Sequence, residues 1–288
     1  MRSFLAFVLV LVAMLAAFVA VPANWANRYV VDGDRFTSLM APIADERGVQ
    51  DAMADEISGQ IQRLLTEQGD SRPPMQTITP YVTAYTHSSQ FPPAFADSVR
   101  EVHRWLFTTP TAQQRLGGAT TTQIDLAPMI RQIAAENNVR VGVPEQVTVD
   151  LSGTGANRNL FRAGRFAPVA ADVGLVSWAS IVVGIAAAVL ALVCARRRGF
   201  TLMFLGLGAA LAAGVTWILC IAAPSYVAAG RAGSLSPTVL DAAVGRVTSS
   251  ITPWVTTEAV IGGAVALIGL LFGGLGSLAA RRSRREGW

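Results

Sequence analysis

The sequence predicts a membrane protein that is almost wholly α-helical, with four transmembrane helices. It adds a mainly α extracytoplasmic domain carrying a small two-stranded β element. Three observations predict this. Residues Ser3–Val21, Val173–Cys194, Phe200–Ala222 and Ala259–Ala280 are apolar runs without Asp, Glu, Arg or His. Each is close to the roughly 20 residues that cross a hydrocarbon core. Arginine gathers at one set of their ends only: Arg2 before the first, Arg196, Arg197 and Arg198 after the second, and Arg281, Arg282, Arg284 and Arg285 after the fourth. Residues 22–172 have the length for one core of their own and show helical periodicity.

The first run, residues 1–21, is long for a cleaved leader, whose apolar stretch is usually about 7–15 residues. It reads as a signal anchor; the rival is cleavage after the small-residue stretch Val21-Pro22-Ala23. Alternation of the spans puts every arginine cluster on one side. The positive-inside rule then makes this a multi-pass plasma-membrane protein with both termini cytoplasmic. Residues 195–199 become a cytoplasmic turn, 281–288 a basic tail, and 22–172 and 223–258 face outward. Residues 22–172 hold 13 Arg against 16 Asp and Glu, a net of −3. The basic balance therefore comes from the cytoplasmic rims. It fits insertion polarity and contact with anionic headgroups, and is no signal for nucleic acid.

Within 22–172, Val49, Met53, Ile57, Ile61 and Leu64/Leu65 recur at helical spacing and predict a helix over Gly48–Glu67. Gly69 and Pro73-Pro74 stop it. A second helix is expected over Met75–His87, with a kink or late start at Pro80. A third covers Pro92–Phe107, its inner face made by Phe95, Val99, Val102 and Leu106. Thr120–Asp125 and Gln146–Leu151 alternate as short strands and flank a helix over Leu126–Glu136, which Asp125 can cap. Ser152–Arg165 reads as loop, and Phe166–Asp172 leads into the second span. In the second outward segment, Ser236-Pro237 starts a short amphipathic helix with Leu240, Val244, Val247 and Ile251 on one face. Pro253-Trp254 ends it, with Trp254 at the membrane interface.

Chemistry is sparse. The ionisable groups Asp172, Arg196 and Glu258 flank the spans, which argues against transport. Small residues recur at packing intervals: Gly262, Ala266, Gly269 and Gly273 on the last span, Gly206, Ala210 and Gly214 on the third, Ser180, Gly184 and Ala188 on the second. Such stripes let backbones approach closely in lipid, within a monomer or against a partner helix. His87 and His103 are the sole histidines, too few for a zinc site without outer cysteines. His103, near Glu101 and Arg104, reads as a structural, hydrogen-bonded histidine before it reads as a general base. Asp32-Gly33-Asp34 reads as a turn. Gly117-Gly118 and Gly153/Gly155 lack the context of a phosphate loop. Cys194 and Cys220 lie near opposite ends of their spans, about 30 Å apart in depth, and cannot pair.

Trp25, Asp32 with Arg35-Phe36, Met40-Ala41-Pro42-Ile43-Ala44, Val49-Gln50, Phe91, Phe95, His103, Ile124-Asp125-Leu126 and Val143-Pro144 follow one another in a recognisable order. In this the chain resembles a family of uncharacterised four-span integral membrane proteins of actinobacteria, over nearly its whole length. Phe95 stands where such proteins more often carry tryptophan. The resemblance implies the four-span topology and a helical extracytoplasmic domain, and brings no catalytic residue.

The expected function is therefore that of a non-catalytic cell-envelope protein, without cofactor or metal. It would act through a membrane or envelope protein partner as an accessory, assembly or scaffold subunit. The alternative is an extracytoplasmic module binding a lipid or envelope precursor at the outer leaflet. An enzyme built on His103 is the remaining possibility.

Overall fold

The computed structural model describes residues 2–68, 75–109, 123–137, 142–150, 164–229 and 237–285. In chain order it runs α1 (Arg2–Ala26), a π-turn (Asn27–Val31), α2 (Gly33–Met40), a 3-10 turn (Ala41–Asp45), α3 (Arg47–Glu67), α4 (Met75–Thr86) and α5 (Phe91–Phe107). There follow β1 (Gln123–Asp125), α6 (Ala127–Glu136), β2 (Thr148–Asp150), α7 (Ala167–Cys194), α8 (Arg198–Ala229) and α9 (Pro237–Arg285). Two compact units divide the chain: Met1–Arg28, Ala171–Ala222 and Thr248–Trp288 in one, Tyr29–Ala170 and Ala223–Val247 in the other.

The first unit holds the apolar helices. Ser3–Val31, Ala167–Cys194, Arg198–Ala222 and Pro237–Gly274 are each long and apolar enough to cross a membrane. All four helices outrun the apolar stretches seen in the sequence, because backbone hydrogen bonding continues past the point where side chains turn polar. Two expectations fail at the fourth. No separate amphipathic helix ends at Pro253-Trp254: α9 is continuous through Pro253. Proline removes a single backbone N–H, and threonine hydroxyls around it donate back to carbonyls one turn earlier, Thr252 to Thr248 at 2.7 Å and Thr257 to Pro253 at 2.7 Å. Glu258, expected to flank a span, lies inside the continuous helix α9. Asp172, likewise expected to flank, is inside α7, which begins at Ala167.

The second unit packs α3 on α4 and α2 on α5. Its core is built from Val49, Ile57, Val82, Phe91, Leu126 and Ala127, all essentially without solvent contact. The periodic face of α3 buries Val49, Met53, Ile57, Ile61 and Leu64. Pro80 lies inside α4 without ending it. The α5 face departs from expectation: Phe91, Phe95 and His103 are buried, whereas Val102 and Leu106 are only half-buried. The Asp32-Gly33-Asp34 turn is more than a turn. Asp32 is the N-cap of α2 and accepts from the Arg35 amide at 2.9 Å.

Around α6, Gln123–Asp125 runs antiparallel to Thr148–Asp150, with Ile124 opposite Val149. Three residues a side is too little to stand alone. Asp125 supplies the missing order: one carboxylate oxygen accepts from the amides of both Ala127 and Val147, each at 2.9 Å. It thus starts α6 and pins the approach to β2. The residues of α9 in this unit are also part of it. Val239 joins the core, with Ala242 and Ala243 against it, and the Arg246 Nε donates to the Leu39 carbonyl at 3.1 Å. Of the face expected there, Leu240, Val244 and Val247 are half-buried; Ile251, in the first unit, is buried. Ser236, the glycine pairs Gly117-Gly118 and Gly153/Gly155, and the expected loop as far as residue 163 lie outside the described residues.

Candidate functional site

In the first unit the small-residue stripes of α8 and α9 meet each other. A methyl on Gly262 would lie 2.7 Å from the Ala210 amide nitrogen and 2.8 Å from the Gly206 carbonyl oxygen. One on Gly206 would strike the Ala266 backbone, one on Gly269 the Met203 backbone, and one on Gly199 the Gly273 backbone. The helices are therefore antiparallel and in backbone contact over four layers, an approach that Gly199, Gly206, Gly262 and Gly269 permit. Gly199, absent from the expected stripe, completes it. Gly214 departs from it: nothing lies within 4 Å of where its methyl would be, and the same is true of Gly263. On α7, Gly184 meets the Ala16 methyl at 3.2 Å.

Tryptophan marks a level of which the sequence reading named only Trp254. Trp178 and Trp217 are 70% and 52% exposed. Trp178 lies 18 residues from Arg196, Trp217 19 from Arg198, and Trp254 19 from Gly273, which packs beside Phe200. At about 1.5 Å per residue all three stand roughly 27–29 Å from the arginine turn, one hydrocarbon thickness. Spacing counted back from each arginine cluster would have found them. Trp25 donates its indole N–H to the Ser250 hydroxyl at 3.1 Å, tying α1 to α9. Arg196 and Arg197 form the turn between α7 and α8, and Arg198 opens α8. Arg2 starts α1, and Arg281, Arg282, Arg284 and Arg285 close α9.

In the second unit the sequence singled out His103. It is 7% exposed and its Nε2 is 2.8 Å from the Val30 carbonyl, to which it donates. Its ring stacks on Phe107 with centroids 4.4 Å apart and lies 5.1 Å from Phe36, while Phe107 stacks on Phe166. Gly33 closes the remaining side, since a methyl there would fall 3.1 Å from Nδ1. The imidazole is thus enclosed by rings and backbone, and Glu101 and Arg104 are exposed on the other face of α5. His87 bonds Asp51 at 2.8 Å on the surface. Asp51, Asp55 and Glu56 border an open depression beside Pro237 and Thr238. Among the described residues no three His, Cys, Asp or Glu side chains come together as a metal site would require. Cys194 and Cys220 are both free.

One concavity in this unit is apolar. Between α3, α4 and α6, Ile61, Leu65, Ile78, Tyr81, Ile130 and Ile133 border a hollow of about 180 Å³ with almost no polar wall. Beside it the Tyr85 hydroxyl donates to Gln132 at 3.1 Å. Burial, with Glu136 adding its charge, pushes the Tyr85 phenol up to about 12.

Comparison with family models, with curated proteins and with solved structures finds no match to this chain.

Proposed function

We propose that this is a non-catalytic integral membrane protein of the cell envelope. Both termini are cytoplasmic, and the unit built on Tyr29–Ala170 is extracytoplasmic. It serves as an accessory, assembly or scaffold subunit through contacts with another membrane or envelope protein. The observation carrying this reading is how the polar groups of that unit are used. Asp32 caps α2, Asp125 holds two amides, His103 and Arg246 each hold a backbone carbonyl, and Arg131 Nη1 donates to the carbonyls of Pro144 and Glu145. These groups are engaged in holding the fold. The arginine clusters and the tryptophan level support the orientation.

The test is purification of the tagged full chain from native membranes in mild detergent, with mass spectrometry of what stays bound. A stoichiometric protein partner is expected. A reporter fused at Trp288 that is active outside the cell overturns the topology. Full loss of function in His103→Ala, at wild-type abundance and folding, overturns the non-catalytic reading.

The apolar hollow between α3, α4 and α6 favours a second reading, a module that holds a lipid or envelope precursor. A chain isolated alone with one defined lipid, lost on Ile133→Trp, supports it over the first.

A further inference from the structure

The first unit contains an open groove of about 400 Å³ around Glu258, walled by Val21, Ala209, Trp254 and Ile261, with Pro253 and Thr257 at its edge. Pro253, Thr257 and Ile261 are exposed, so the groove opens at the outer surface of the helices. Oε2 of Glu258 is buried and meets no hydrogen-bond partner among the described residues. Counting 15 residues from Gly273, the carboxyl stands about 22 Å from the arginine turn and roughly one helical turn short of the tryptophan level. If α9 crosses the bilayer, it lies inside the hydrocarbon of the leaflet remote from the arginines.

A carboxyl in that position is ionised only beside a counter-charge, and a buried acceptor oxygen requires a donor. The groove opens at the outer surface of the helices, which faces lipid if α9 crosses the bilayer. A primary ammonium answers both needs, because it carries the charge and three N–H donors. A quaternary ammonium carries the charge without a donor, and an anionic headgroup is repelled. The apolar walls suit the start of an acyl chain.

We propose that this groove binds a phospholipid bearing a primary-ammonium headgroup, drawn from the leaflet remote from the arginine turn, with the ammonium on Glu258 and a chain along Val21, Ala209 and Ile261. The proposal rests on α9 crossing the bilayer. It is separate from the hollow in the second unit.

The experiment uses the full chain in detergent, titrated with phosphatidylethanolamine, phosphatidylcholine or phosphatidylglycerol of identical acyl chains, and counts retained lipid by native mass spectrometry. Phosphatidylethanolamine is expected to be held at least about tenfold more tightly than the other two, the scale of one charge-assisted hydrogen bond. Glu258→Gln is expected to abolish that preference. Ile261→Trp, which fills the groove and leaves the carboxyl, is expected to weaken retention of phosphatidylethanolamine by a similar factor. Equal retention of the three lipids overturns the site. So does a preference for phosphatidylethanolamine that persists in Glu258→Gln, or in Ile261→Trp should the first variant not fold. Persistence in both variants places the lipid elsewhere and leaves the reading of the second unit untouched.

Discussion

Replacing Gly262 by alanine separates packing within the chain from docking of a partner. The added methyl would sit 2.7 Å from the Ala210 nitrogen and 2.8 Å from the Gly206 oxygen, where ordinary contact begins at 3.4 Å. Both obstacles are backbone, so no side chain can swing away and α8 and α9 must part by roughly 0.7 Å. A gap of that size forfeits about a third of each dispersion well, at ~0.15 kcal/mol per atom pair. With some 40 pairs across the four layers, the loss is about 2 kcal/mol, within the usual range for overpacking. For a chain of this size that corresponds to about 4–8 °C in Tm. The assay is thermal unfolding of the detergent-solubilised full chain, with Gly263→Ala as the control because nothing lies within 4 Å of its methyl position. The control gains the same helix propensity and is expected to be neutral or slightly more stable. An unchanged Tm in Gly262→Ala, or an equal fall in Gly263→Ala, would refute the intrachain packing of the stripe. Should Gly263→Ala instead leave Tm alone and release a co-purifying protein, that outward glycine is where a partner helix sits.

Three further outcomes are expected. Asp125→Ala leaves the amides of Ala127 and Val147 without their shared acceptor and should cost about 2–4 kcal/mol in chemical denaturation; a loss below ~0.5 kcal/mol would count against its role as the pin of β2. The Ser58 hydroxyl is fully buried in α3 and unpartnered among the described residues, so Ser58→Ala should hold or raise stability, by up to about 1 kcal/mol, and a clear drop in the denaturation midpoint would contradict this. Tyr85 should titrate about two units above an ordinary phenol by ultraviolet absorbance, a signal missing from Tyr85→Phe. Because the folded value is the higher one, the folded state holds the proton longer. Its contribution is whole below pH ~10 and is lost as pH rises towards ~12; stability that rises through that window in wild type relative to Tyr85→Phe would refute the assignment.

The sequence by itself determined the four apolar helices and the buried stripe of α3, because both follow from local periodicity and from the length a bilayer demands. It also placed the carboxylate of Asp125 at the start of α6. Where the reading stopped, a partner distant in the chain decided the matter. The helix continues through Pro253, which hydropathy does not register, so Glu258 stands in mid-helix. His103 is buried on α5 because Phe36, Phe107 and the backbone at Val30 and Gly33 enclose its ring. The glycine stripes were visible as spacing, but spacing is the same for packing and for docking. Only the register of α8 against α9 separated Gly206 and Gly262, which touch backbone, from Gly214 and Gly263, which face open space. Local order is written in neighbouring residues, whereas the surroundings of a side chain are set by tertiary approach.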